Sequence, residues 1–312
     1  MKIAIFGTGG VGGYFGARLA QHGHEVYFIA RGAHLQAIRE NGLRVDSFLG
    51  DVHLTDAQAS DDPAEIGPVD AVLVGVKAWQ VPQAAERMQP LVGAQTLVLP
   101  LQNGIEAPGQ LAAVLGAAHV LGGLCKISAY IAAPGHIIHT GIQPYIALGW
   151  PDNHRSPDLE ALHAALTGAG ISAEIPADIQ AAMWGKFVFI AAISAVGAAV
   201  RLPAGAWRGL PPTRALLEES MHEIVRLGQA LGVAIDERAA QGALQFVDSL
   251  PEHVTASMQR DIIEGRPSEL EAQTGAIVRL GRQAGVPTPV NDFLYAVLLP
   301  HELAARGETP RP

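Results

Sequence analysis

The run Lys2-Ile3-Ala4-Ile5-Phe6, followed at once by Gly7-Thr8-Gly9-Gly10-Val11-Gly12, constrains this chain more than any other feature. A short apolar run that ends on glycines and leads into the amphipathic stretch Tyr14 to Gln21 predicts a buried strand, a tight turn and a helix. In such a unit the first glycine permits the turn, and the second lets backbone amides approach a pyrophosphate. The third allows the helix to pack closely on the strand, with its N-terminus facing the phosphates. Gly7, Gly9 and Gly12 take these places, and Thr8, Gly10 and Val11 complete the candidate cofactor-binding turn. The chain has 35 glycines, so the spacing alone also fits a plain structural turn; the strand, turn and helix setting is what favours a dinucleotide.

The second apolar run ends at Ala30, and Arg31 follows where an NAD-preferring site places a carboxylate on the ribose hydroxyls. A guanidinium there suits a 2′-phosphate, which points to NADPH/NADP over NADH. The alternative is a solvated arginine after a strand.

Short β-type runs recur at Glu25 to Ala30, Ala71 to Val76, Thr96 to Leu99 and Val120 to Leu124, alternating with helical patterns. Such alternation predicts a parallel sheet with crossover helices. Ile137, Ile138, Tyr145, Ile146 and Leu148, then Ile171 to Ile175, are expected to extend the edge of that sheet. From Asp178 onward the strand runs stop, and helical patterns cover Ile179 to Val200, Thr213 to Leu231, Glu237 to Phe246 and Glu269 to Ala284. Gly232 and Gly285 read as helix stops. The 312 residues suffice for two domains with separate cores. The expectation is an α/β Rossmann-type, NADP-binding N-terminal domain over 1–177 and an all-α substrate domain over 178–312, divided near Pro176 and Ala177. The polar end from Arg306 to Pro312 is expected to be disordered.

Composition narrows the function classes. A net charge of −9 repels polyanions, so nucleic acid and acidic membrane surfaces are poor partners. The single cysteine, Cys125, supports neither an internal disulfide nor a zinc cluster, and no metal site is expected. The apolar start is too short for a signal peptide, and the longest apolar stretch, Phe187 to Val200, falls short of the roughly 20 residues that span a bilayer. A soluble, cytoplasmic protein is expected.

Five polar residues stand out on the substrate side. Lys77 and Asn103 follow apolar runs at the carboxyl ends of predicted strands, where open α/β sheets bind ligands; each also fits a solvated loop residue. Lys186 opens the apolar segment Phe187 to Ile193, and a desolvated lysine gives up its proton more readily, which suits a proton donor. Snorkelling to water is the alternative. Ser257 precedes the charged group Asp261, Glu264 and Arg266, which reads as surface or interhelical charge. Ser268 reads as an N-cap that puts Glu269 in a first helical turn, where the helix dipole alone accounts for a carboxylate.

Taken together, Gly7-x-Gly9-x-x-Gly12, Arg31, Val76-Lys77-Ala78-Trp79-Gln80, Asn103-Gly104, Trp184-Gly185-Lys186 and Ser257-Met258 with Asp261 and Glu269 resemble the ketopantoate reductase family over nearly the whole chain. The resemblance implies Lys186 as general acid, Glu269 as its acidic partner and Ser257 on the substrate carboxylate. It puts Asn103 near nicotinamide and substrate, Lys77 as organiser of both, and Arg31 on the NADPH phosphate. It also marks departures: Ile190, Ser194 and Ala204 stand where the family carries asparagines, with Ser194 retaining a polar group as a candidate substrate contact. The implied activity is NADPH-dependent reduction of 2-dehydropantoate to pantoate, which supplies pantothenate and coenzyme A. Ile190 opens an alternative, a paralogue acting on a more apolar 2-oxo acid. A third reading is a non-catalytic NADPH-binding regulatory protein. A homodimer through the apolar runs Phe187 to Val200 and Ala284 to Leu299 remains open.

Overall fold

Successive side chains of the first strand, β1 (Lys2–Phe6), enter two different cores. In the computed structural model, which describes residues 1–308, Ile3 and Ile5 lie on one face with Leu73, Leu99 and Phe15. Ala4 and Phe6 lie on the other with Val72, Val74 and Met88. A strand buried on both faces is what a parallel sheet between helix layers demands, and it explains why β1 reads as a continuous apolar run.

The chain divides into two units: Met1–Gln102 with Ala107–Ile179, and Asn103–Glu106 with the chain from Gln180 onward. The first contains β1, α1 (Gly10–Gln21), β2 (Glu25–Ile29), α2 (Gly32–Asn41), β3 (Leu43–Ser47), β4 (Val52–Leu54) and β5 (Gln58–Ser60). It continues with β6 (Val69–Val74), α3 (Val81–Met88), β7 (Val92–Pro100), α4 (Ala107–Leu115), β8 (Gly122–Lys126), β9 (Ala129–Ala133), β10 (His136–His139), β11 (Tyr145–Gly149), α5 (Pro157–Gly168) and β12 (Ser172–Glu174). Five strands form a parallel sheet in the order β5-β2-β1-β6-β7.

The remaining strands do not extend that sheet, contrary to the reading of the sequence. β8, β11 and β12 form a three-stranded sheet, and β3, β4, β9 and β10 a four-stranded one. Val120 makes only an isolated parallel bridge to Val98; the strand proper begins at Gly122 and pairs antiparallel with β11. At Gly123 the backbone packs directly on Pro100 and Leu99, an approach that a Cβ would block. Close packing at Gly123 thus accompanies the departure from the parallel sheet, which an apolar run of this length does not disclose.

The second unit is helical: α6 (Ile179–Val200, counted with it from Gln180), α7 (Pro211–Ala230), α8 (Glu237–Ser249), α9 (Ser257–Ile263), α10 (Ala276–Ala284) and α11 (Pro289–Arg306). Its core gathers Trp184, Phe187, Val188, Val196, Met221, Ile224 and Leu294. α6 has 22 residues and, unlike the shorter stretch singled out in the sequence, is long and apolar enough to cross a membrane. Yet 67% of its most apolar window is buried inside the protein, as befits a core helix. Gly232 and Gly285 adopt φ of 80° and 67° beyond α7 and α10, so both helix stops rest on left-handed backbone. On α11 Phe293 and Val297 stay 60% and 42% exposed.

Two local expectations are corrected. Glu269 stands at the entry of a helix rather than inside its first regular turn: residues 266–268 are irregular, the Glu269 carbonyl accepts from Gln273 N at 3.0 Å, and the regular helix opens at Glu271 as a π-turn (Glu271–Gly275) leading into α10. The Ser268 hydroxyl accepts from Leu270 N at 3.2 Å, a local serine turn that sets the helix start two residues later. Arg306 is ordered as the last residue of α11, bonded to Glu302; of the predicted disordered end, residues 309–312 lie outside the described residues.

Candidate active site

In the first unit the glycine turn runs from β1 into α1. Gly7 has φ of 101°, and a Cβ there would lie 2.7 Å from Val76 N. A Cβ on Gly12 would strike the Gly7 carbonyl, and one on Gly10 the Ala129 carbonyl. Packing within the protein thus accounts for three glycines. Gly9 differs: its φ of −86° and ψ of −164° suit any residue, and a Cβ would find only Gly75 O, 4.0 Å away. Nothing in the fold requires glycine there, whereas a pyrophosphate drawn up to the backbone does. Gly9 is also the N-cap of α1 and supplies no side-chain cap, so the amides of the first turn are left for a ligand. These residues fit a dinucleotide.

The neighbours of the turn divide between tethering and exposure. Thr8 is buried, its hydroxyl donating to Ile29 O at 3.0 Å, which ties the turn to β2; Val11 is half-buried. Arg31 caps α2 and is exposed. Lys77, also exposed, lies three residues beyond β6, with its backbone N–H donating to Gln80 Oε1 at 3.2 Å and its ammonium 5.7 Å from the centre of the Trp79 ring.

The second unit brings three of the singled-out residues into one hydrogen-bonded chain. Lys186, half-buried on α6, donates from Nζ to Asn103 Oδ1 at 2.8 Å. Asn103 Nδ2 donates to Glu269 Oε2 at 3.0 Å, and Glu269 is only 7% exposed. The amide can stand only this way round, since a flip would set its NH₂ against an ammonium and its oxygen against a carboxylate. Each bond involves an ionised group and contributes on the order of 1.5–3 kcal/mol.

Residues 103–106 are fastened to this unit one after another. Gly104 has φ of 104° and lies so close to the π-turn that a Cβ would be 2.6 Å from Ala272 O. Ile105 packs on the helical core, and Glu106 accepts from Arg279 Nη2 at 2.7 Å. Glycine, apolar residue and ion pair together hold Asn103 where it bridges lysine and carboxylate.

Comparison with known proteins agrees with the two-part fold. Residues 3–153 match the family model for ketopantoate reductase PanE/ApbA, and residues 178–302 match the model for its C-terminal part. The chain belongs to the ketopantoate reductase family. A 2-dehydropantoate 2-reductase of Mesorhizobium japonicum is 31% identical over 322 residues, covering 96% of this chain and 97% of that protein. The crystal structure of a PanE/ApbA family ketopantoate reductase from Ralstonia eutropha has a TM-score of 0.89 at 31% identity, covering 98% of this chain and all of that one (100%). D-mandelate dehydrogenase, solved with NADH and anilino(oxo)acetate, shares the fold with a TM-score of 0.88 at 23% identity, covering 98% of this chain and 100% of that one. The family is one of oxidoreductases with a parallel-sheet N-terminal part and a helical C-terminal part.

The three positions read from the sequence as departures from the family, Ile190, Ser194 and Ala204, are poor in accessible polar groups. Ile190 lies one turn beyond Lys186 on α6, partly buried and apolar. Ser194, a further turn on, has no accessible surface, and its hydroxyl has no partner among the described residues. Ala204 is packed in a short 3₁₀ turn, its N–H bonded to Val254 O at 2.9 Å. Ser257 is half-buried at the start of α9. Asp261, Glu264 and Arg266 pair among themselves. No cluster suited to a metal ion occurs among the described residues.

Sequence reasoning overlooked Gln102. Its Nε2 donates to Val74 O at 2.8 Å and Val76 O at 3.0 Å, pinning the ends of β6 and β7 just before Asn103. A glutamine next to an Asn-Gly pair carries no signal of its own, because its partners lie 28 and 26 residues away.

Proposed function

We propose that the protein reduces a 2-oxo acid to the 2-hydroxy acid with NADPH, and that 2-dehydropantoate is its substrate, giving pantoate for pantothenate and coenzyme A. The observation that carries this reading is the Lys186–Asn103–Glu269 chain. In it the first unit is the cofactor domain, with Gly7 to Gly12 and Lys77 at the dinucleotide and Arg31 on the 2′-phosphate. The second is the substrate domain. NADPH, when bound, supplies the hydride to the keto carbon. Lys186 hydrogen-bonds the keto oxygen, stabilises the charge that develops there and delivers the proton. Asn103 orients that ammonium, Glu269 holds the amide, and Ser257 serves the substrate carboxylate, whereas the Ser194 hydroxyl, sealed inside the protein, does not reach it. The same reading makes the protein cytoplasmic, since nothing in the chain calls for an oxidising compartment.

A second substrate, a more apolar 2-oxo acid, is favoured by Ile190 and by the sealed hydroxyl of Ser194. Following NADPH consumption with ketopantoate beside 2-oxoisovalerate and phenylglyoxylate separates the two. Turnover of ketopantoate at least tenfold above the others supports pantoate formation, and its absence with turnover of an apolar acid supports the paralogue. Lys186→Ala is expected to lower kcat by about 10²–10⁴, the contribution of a positioned general acid. Unchanged turnover in that variant, with NADPH still bound, would favour a regulatory protein instead.

A further inference from the structure

The segment that presents Glu269 is held from the last turns of α11. Glu302 is 1% exposed, and its Oε1 and Oε2 accept from Ser268 N at 3.1 and 3.0 Å; Oε2 accepts from the Ser268 hydroxyl as well. Arg306, one helical turn on, donates from Nε to Glu302 Oε1 at 2.6 Å and from Nη2 to the Ser268 carbonyl at 3.2 Å. The Ser268 hydroxyl in turn accepts from Leu270 N at 3.2 Å. The peptide unit before Glu269 is thereby held through its carbonyl, and the one after it through its N–H.

This clamp acts where the helix has only begun. The Glu269 carbonyl accepts a helical bond from Gln273 N at 3.0 Å, but residues 266–268 before it lie in no helix or strand, so the approach to Glu269 is held by side chains. A buried carboxylate is also costly, and apolar side chains would pack two segments together at less expense. Paired with Arg306, the carboxylate of Glu302 adds directional control over two consecutive backbone groups. Resting on the reductase reading, we propose that Glu302, acting with Arg306 through Ser268, is a positioning residue that holds the Glu269 carboxylate on Asn103 and so keeps Lys186 aimed at the substrate.

Two variants test it, with circular dichroism to confirm folding: Glu302→Gln, which removes the charge at constant shape, and Ser268→Ala, which removes only the hydroxyl. If Glu302→Gln does not fold, Ser268→Ala carries the test. The first readout needs no substrate. In ¹⁵N-labelled protein the side-chain NH₂ signals of Asn103, assigned by their loss in Asn103→Ala, should move in both variants toward their positions in Glu269→Ala. The second is a double-mutant cycle on the 2-oxo acid turned over. Ser268→Ala should lower kcat/KM about tenfold with KM for NADPH unchanged, and should cost nothing further in a Glu269→Ala background. Asn103 signals that stay in place, or losses that multiply in the double variant, overturn the clamp as a positioning device. Should Lys186→Ala keep full turnover, the reductase reading fails, and the Asn103 signals still decide the clamp.

Discussion

The amide of Asn103 works by having two unlike ends. Replacing it with the isosteric carboxylate, Asn103→Asp, keeps an acceptor for Lys186 but sets a second negative group about 3 Å from Glu269, the geometry in which one carboxyl holds its proton and the lysine pairs too strongly. We expect kcat to fall about 10²-fold with NADPH affinity unchanged; steady-state kinetics showing equal kcat would remove Asn103 from orienting the ammonium. Arg31 has the opposite specificity. Arg31→Ala should raise the Kd for NADPH about 10–100-fold, the value of a charge-assisted contact to phosphate, and that for NADH by less than threefold. Equal losses in paired fluorescence titrations would detach Arg31 from the 2′-phosphate. At this scale the sequence disclosed residue types and not their joining. Lys186, Asn103 and Glu269 each had a bland local account, and only the fold shows bonds spanning 83 and 166 residues.

The turn between β1 and α1 separates two demands that the glycine spacing merges. Gly12→Ala drives a Cβ into the Gly7 carbonyl, and overpacking of this kind costs about 1–3 kcal/mol, lowering Tm by several degrees. Gly9→Ala meets open space in an extended conformation, so the folded protein should keep its Tm or gain about 0.4–1 kcal/mol from a stiffer unfolded chain. Yet it should weaken NADPH binding at least tenfold. Thermal melts and titrations of both variants check the contrast, and a Gly9→Ala protein that binds NADPH normally would sink the pyrophosphate role. Elements with a strong period were legible: β1, β2, α1 and α6 lie where the apolar pattern places them, because burial alone determines them. The strands β8, β10, β11 and β12 were legible as strands and not as members of separate sheets, and β9 was not read at all; at β8 the contact of Gly123 with Pro100 is tertiary. The π-turn was not legible at all. Its start depends on Ser268 bonding both Leu270 and Glu302, and the second partner is 34 residues away.

The two units draw on cores without a common residue, and their titrating groups differ as well. Three histidines of the first unit, His24, His34 and His139, have pKa values lowered from the ordinary 6.5, chiefly because burial disfavours the charged ring. His139 is 2% exposed between the Tyr14 and Phe48 rings, with Nε2 on Ile142 O at 3.0 Å and Nδ1 on Ser47 Oγ at 2.8 Å; the nearby Arg18 guanidinium opposes a second positive charge. Well above pH 6.5 these rings are neutral whether the chain is folded or not and contribute no pH dependence. As pH falls below 6.5 the unfolded chain takes up the protons first, so folding weakens until the lowered values of the folded state are reached. Carboxylates act in a different window: Asp46, Asp152 and Asp236 have pKa values lowered mainly by Arg44, His154 and Arg238, and their contribution disappears only as pH falls below 3.8. Between pH 7 and 5 the histidines should therefore dominate. Melts followed by circular dichroism should accordingly show Tm falling as pH is lowered over that interval. A His34→Gln, His139→Gln variant should flatten the slope, because neither replacement takes up a proton. A slope as steep as in the parent protein would place the acid sensitivity in other groups, leaving burial of these rings without consequence for stability.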